Sequence, residues 1–159
     1  MHTMPELEYH YLADRPEDVP LVMSWWHSHW HASMGDLPTF TQDFKGTLGR
    51  HHLPLDVIAY LSGYPVATAA LKEHELTECY PNYRCWLGSV YVAPAHRGLG
   101  IAHRLTEHMI ELAKCRHLPQ LYLQTEHLSG GLYKDLGWRP LDLRRVNGEA
   151  VLIMVNLLN

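Results

Sequence analysis

Cysteine is scarce: Cys79, Cys85 and Cys115 are the only three in 159 residues, and no two stand in a CxxC spacing. An odd count without that spacing argues against a disulfide framework or a cysteine zinc site and points to a reducing compartment. No apolar run approaches the roughly 20 residues that cross a bilayer. The opening MHTMPELEYH lacks the basic stretch and apolar core of a secretory leader, so the expected location is the cytoplasm. A basic excess is missing too. The formal net charge is −4, whereas a nucleic-acid binder carries a basic stripe. Repeats, low-complexity tracts and linkers are also absent, which leaves one domain over residues 1–159.

What is present suits a globular α/β protein: 47% of residues are apolar and 19% charged. The alternation in 7–13 predicts a strand. A helix follows from Pro16, with Val19, Val22, Met23 and Trp26 at helical spacing. A second helix is expected over 39–50, with Thr39 or Thr41 as N-cap. Residues 54–74 read as a hairpin turning at Gly63, and 84–94 as a strand stopped by Pro94. Ile101, Leu105, Met109 and Leu112 mark the buried stripe of a helix over 101–117. A strand at 118–125, a short helix at 129–138 closed by Gly137, and a hairpin turning at Asn147-Gly148 complete the chain. The helix crossover makes strands 84–93 and 119–125 natural parallel neighbours.

Between the strand and the helix lies SVYVAPAHRGLGIAHRL, residues 89–105. A helix N-terminus presents unpaired backbone N–H groups and the positive end of the peptide dipole. Gly98 and Gly100 would let a phosphate approach that backbone without meeting a Cβ, and Arg97 adds a cation beside it. Glycines in such a place are also ordinary turn residues. Two phosphate motifs do not fit: no Lys-Ser or Lys-Thr completes a P-loop, and His103 stands where a dinucleotide fingerprint has its third glycine.

VYVAPAHRGLGIAHRL resembles motif A of the GNAT acetyltransferase superfamily, with Arg97, Gly100 and Ala102 in its defining places behind Val92 and Pro94. LYKDLGW resembles the same family's L-Y-x-x-L-G-[F/W] segment, with Tyr133, Gly137 and Trp138 in register. The resemblance implies a single-domain GNAT acyl-CoA N-acyltransferase fold: a mixed, mostly antiparallel sheet with a splayed parallel strand pair, flanked by helices. It implies acetyl-CoA as cosubstrate. Its pyrophosphate would lie on the loop and helix start at Arg97, Gly98, Leu99, Gly100, Ile101, Ala102 and His103. Its pantetheine arm would lie along Val90, Tyr91 and Val92, with the Val92 amide at the thioester carbonyl. Tyr133 matches the family's general acid; its other reading is an aromatic packing beside Leu132 and Leu136.

The base is unassigned. The two places where the family often has a strand glutamate are Trp86 and Gly88, which leaves Glu73, His74, Glu75, Glu126, His127 or a water relay. His27 and His31 stand four apart on a helix, but neither HExxH nor a carboxylate at ligand spacing joins them, so no metal is expected. The family's usual acceptor side corresponds to residues around 26 to 44. Trp30, Met34, Asp36 and Phe40 are therefore the candidate wall, suited to a cationic amine. The expected reaction is acetyl transfer to a primary amine, either a small molecule or a peptide, in a ternary complex. The alternative is a non-catalytic acyl-CoA-binding sensor. Neither nucleic acid nor membrane is expected as a partner, and a homodimer is a possible assembly.

Overall fold

A computed structural model describes residues 6–158 of the protein. The leader reading therefore rests partly on residues 1–5, outside the described part. Seven strands hydrogen-bond in the order β1-β2-β3-β4-β5-β7-β6. They are β1 (Leu7–Tyr11), β2 (Leu55–Leu61), β3 (Tyr64–Lys72), β4 (Trp86–Val92), β5 (Gln120–Thr125), β6 (Arg139–Val146) and β7 (Glu149–Leu157), with helices α1 (Val19–Met34), α2 (Leu37–Lys45) and α3 (Ile101–Cys115). As the crossover predicts, β4 and β5 pair in parallel, with Trp86 opposite Tyr122. The β1–β2, β5–β7 and β6–β7 pairs are antiparallel, so the sheet is mixed. Among the described residues, no helix is long and apolar enough to cross a membrane.

The chain divides into two compact units, one of Met1–Ala70 with Ser89–Leu105 and one of Leu71–Gly88 with Thr106–Asn159. In the first, α1 lays Val19, Val22, Met23 and Trp26 against Ile58 and Tyr60 of β2 and Tyr91 of β4, and α2 adds Phe40 and Phe44 at the edge of this core. Each such fully buried side chain contributes about 1.5–3 kcal/mol of hydrophobic stabilisation. The β2–β3 turn places Ser62 at φ 52° and Gly63 at φ 84°, both left-handed as a two-residue hairpin requires. In the second unit, Tyr80, Trp86, Val151 and Ile153 form a cluster edged by Tyr83 and Tyr122. Asn147-Gly148 makes the expected turn between β6 and β7, with both φ positive.

Two boundaries and one buried position differ from the sequence reading. Pro16–Asp18 is a separate 3₁₀ turn, and α1 begins at Val19. The cap of α2 is Asp36, not a threonine: its carboxylate accepts from the Thr39 amide and hydroxyl, so Thr39 lies inside the first turn. In α3, Ala113 is fully buried and continues the four-residue spacing Ile101, Leu105, Met109, whereas Leu112 is only half-buried.

Candidate functional site

The strand that leads to the glycine loop is bent by design. Ser89, in the middle of β4, has φ 52°, the left-handed region that non-glycine residues avoid. Two buried side chains hold it there. The Trp26 indole N–H donates to Thr68 Oγ1 at 3.0 Å, and the Thr68 hydroxyl donates to the Ser89 carbonyl at 2.9 Å. A left-handed residue within a strand breaks the regular alternation and re-aims the groups that follow. Tyr91 then turns into the α1 core, its ring 5.9 Å from those of Trp25 and Trp30.

After β4, a 3₁₀ turn at Pro94–His96 delivers the loop. Gly98 and Gly100 have φ 82° and 76°, and an added Cβ at either would meet nothing within 4 Å. The backbone conformation therefore demands glycine, and the space above it is open. Residues 97–100 are exposed, Leu99 at 52%. The helical ladder of α3 starts with Arg104 N donating to the Gly100 carbonyl at 3.1 Å, which leaves the amides of Leu99 to Ile101 outside it. Two details were not foreseen. The Arg97 amide donates to the Pro94 carbonyl, and the Arg97 side chain folds back, Nε donating to the Val92 carbonyl at 3.0 Å with its guanidinium 5.4 Å from the Tyr91 ring. That tether fixes the cation at the base of the loop.

The four candidate wall residues are placed differently from one another. Trp30 marks a kink in α1 (φ −115°, ψ 24°) and packs edge-on to Trp26 and His29. Phe40 stacks on Phe44. Met34 is buried in the α1 core. Asp36 is exposed, and its hydrogen bonds from Thr39 hold its carboxyl below the usual range, so it stays anionic at neutral pH. The His27 and His31 rings lie 5.9 Å apart, and no group of three or more His, Cys, Asp or Glu able to hold a metal occurs among the described residues.

In the second unit, Tyr133 lies on a 3₁₀ turn, Gly131–Leu136, rather than an α-helix. Gly137 ends the turn at φ 93°, and Trp138 N returns to the Tyr133 carbonyl at 3.2 Å. The Tyr133 ring sits edge-on to that of Trp138, and burial pushes its hydroxyl up to about 12. Of the base candidates, Glu73 is ion-paired with Arg84, and His74, Glu126 and His127 are exposed. Glu75 is different: its Oε1 is 3.6 Å from Lys72 Nζ, and its Oε2 is buried without a hydrogen-bond partner. Trp86 is fully buried, its indole N–H donating to the Tyr83 carbonyl. The Trp26–Thr68–Ser89 chain and the burial of Glu75 went unread in the sequence. Gly88 within the strand was the available signal for the second, and nothing local signals the first.

A family model described as Acetyltransferase (GNAT) family matches residues 12–138, most of the chain and both glycine-bearing motifs. The chain belongs to the GNAT acetyltransferase family. As a member it is an N-acetyltransferase, and its cosubstrate is of the coenzyme A type. No curated protein sequence matches it significantly. Among solved structures, an aminoglycoside 6'-acetyltransferase type Ii aligns at TM-score 0.73 with 14% identity, covering 97% of both chains. A ribosomal-protein-alanine N-acetyltransferase from Brucella melitensis aligns at 0.73 with 20% identity, covering 96% of this chain and 99% of that one. An aminoglycoside 6'-N-acetyltransferase complexed with coenzyme A aligns at 0.74 with 12% identity, covering 96% and 97%. At these identities the likeness is one of fold.

Proposed function

We propose that this GNAT member transfers an acetyl group from acetyl-CoA to a primary amine by direct attack in a ternary complex. The observation that carries the reading is the open, positive-φ loop Gly98–Gly100 at the start of α3, with the Arg97 guanidinium tethered at its base. Backbone donors of Leu99 to Ile101, together with the first turn through Ala102 and His103, hold the pyrophosphate, because a helix start without side chains in the way is a ready anion site. Val90, Tyr91 and Val92 pair with the pantetheine arm by their main chains. The left-handed backbone of Ser89 supports this role by re-aiming the strand just before them. The Val92 amide polarises the thioester carbonyl, an oxyanion-type contact.

Tyr133 serves the leaving sulfur. A phenol held at about 12 remains protonated throughout the neutral range. It is a weaker acid than an ordinary thiol of about 8.5. Its part is therefore to donate a hydrogen bond to the sulfur as charge builds there, while the proton that ends on sulfur is made good by one released from the amine nitrogen as the amide forms. Trp30, Phe40 and the anionic Asp36 form the acceptor side, with Met34 packed behind them, which favours a cationic amine. The neighbours named for aminoglycosides and for ribosomal-protein alanine supply two acceptor classes to try first.

The test is release of CoA thiol from acetyl-CoA with a panel of amines, beside calorimetric binding of acetyl-CoA. Binding with amine-dependent release supports the reading. Binding without release from any amine assigns the chain to the sensor class, and no binding refutes the acyl-CoA reading.

A further inference from the structure

We propose that Glu75 is the group that takes the proton from the incoming amine, held over the α-carbon of Gly88 by the connection between β3 and β4. This rests on the acetyl-transfer reading above and supplies the base that reading lacks.

Gly88 lies within β4. A Cβ built there would fall 3.0 Å from Glu75 Oε1, 3.2 Å from Glu75 Cδ and 3.2 Å from Lys72 Cε. The φ of Gly88 is not positive, so the backbone does not require glycine. What favours it is the Glu75–Lys72 pair, whose side chains lie where a strand side chain would project and would have to shift to admit one. The chain thus delivers a carboxylate from the neighbouring connection to a place on β4 where the strand has no side chain. That place is four residues before Val92.

The second observation is the state of the carboxylate. Only 18% of the Glu75 side chain is exposed; Oε1 has Lys72, and Oε2 has no partner. A buried carboxylate oxygen without a donor is costly, by an amount comparable to or larger than a lost hydrogen bond. An alkylammonium N–H would satisfy it with a charge-assisted hydrogen bond. The facing groups set its basicity: burial raises the carboxyl above its usual range, while Lys72 on β3 and the neutral Gln124 amide on β5 pull it down, and the rise dominates. A carboxylate moved toward neutrality is better matched to an amine than an exposed one. Glu73, by contrast, is committed to Arg84.

The balance is simple. The ammonium nitrogen loses two protons in becoming an amide. One goes to Glu75 and on to solvent, freeing the lone pair that forms the C–N bond. The other balances the proton that sulfur takes as the C–S bond breaks.

The experiment compares parent, Glu75→Gln and Gly88→Ala with acetyl-CoA and whichever of spermidine, kanamycin or an alanine-initiated peptide the parent uses, between pH 6 and pH 10. Glu75→Gln should lower kcat/KM for the amine by about 10²-fold or more at pH 7. The gap should close as the pH reaches the pKa of the amine used, about 10.4 for an alkylamine and about 8 for a peptide α-amino group, where the nucleophile arrives deprotonated. Affinity for acetyl-CoA should be unchanged. Gly88→Ala, which crowds the carboxylate without removing it, should show a smaller deficit of the same pH form. Parental rates in Glu75→Gln, or a deficit equal at every pH, overturn the assignment while leaving acetyl transfer intact. A parent that binds acetyl-CoA yet acetylates none of the amines overturns both.

Discussion

Replacing Thr68 by valine tests how β4 is held in its bent form. The substitution keeps the shape and removes one hydroxyl, which is 2% exposed as part of its residue and serves two partners. It leaves the Trp26 indole N–H without an acceptor and the Ser89 carbonyl without its side-chain donor. An orphaned buried polar group costs about 1–3 kcal/mol, so the two together should cost about 2–6 kcal/mol. For a chain of this length each kcal/mol shifts Tm by about 2–4 °C, giving a fall of about 4–24 °C. The functional consequence is separate. The left-handed Ser89 is a conformation worth about 1–3 kcal/mol of strain, and without its pin the strand relaxes toward regular pairing. Affinity for acetyl-CoA, measured by calorimetry well below Tm, should then fall about tenfold, which corresponds to about 1.4 kcal/mol. Thr68→Ser keeps the hydroxyl and should keep most of the affinity. A Thr68→Val protein with parental Tm and parental affinity would refute the claim that this hydrogen-bond chain holds Ser89 in its left-handed conformation.

Other perturbations follow from the same geometry. Tyr133→Phe should lower kcat by about 10²-fold while leaving the Kd for acetyl-CoA unchanged, read by stopped-assay thiol release and calorimetry. Because burial raises the Tyr133 hydroxyl to about 12, its contribution to stability is whole below the ordinary value of 10 and is lost as pH rises toward 12. Denaturant titrations from pH 9 to pH 12 should show a decline that Tyr133→Phe makes shallower. Asp36→Asn retains an oxygen for the Thr39 amide and should leave Tm nearly unchanged while raising KM for a cationic acceptor.

Much of the fold is legible in the sequence because it is written in local chemistry. Asn147-Gly148 and Gly63 specify tight turns through left-handed backbone, and the strand–helix–strand order dictates the parallel β4–β5 pair. The glycine loop is legible for the same reason. What escapes is what depends on tertiary partners. Asp36 displaced the threonines as the α2 cap because Pro38 fits the first turn of a helix that starts earlier, and a sequence pattern ranks all three residues as good caps. Ser89 reads as an ordinary strand serine until Thr68 and Trp26, distant in sequence, are brought to it. Glu75 reads as one of several surface acids, and only folding removes its water and sets it over Gly88.

The proposed acetyl transfer depends most on the loop at Gly98–Gly100 holding the diphosphate of coenzyme A. Calorimetric titration of acetyl-CoA into the parent and into Gly100→Val, each at a temperature where it is folded, tests this directly. One-to-one binding in the parent and none detectable in the variant is the predicted result. Equal affinity in the two proteins would contradict it.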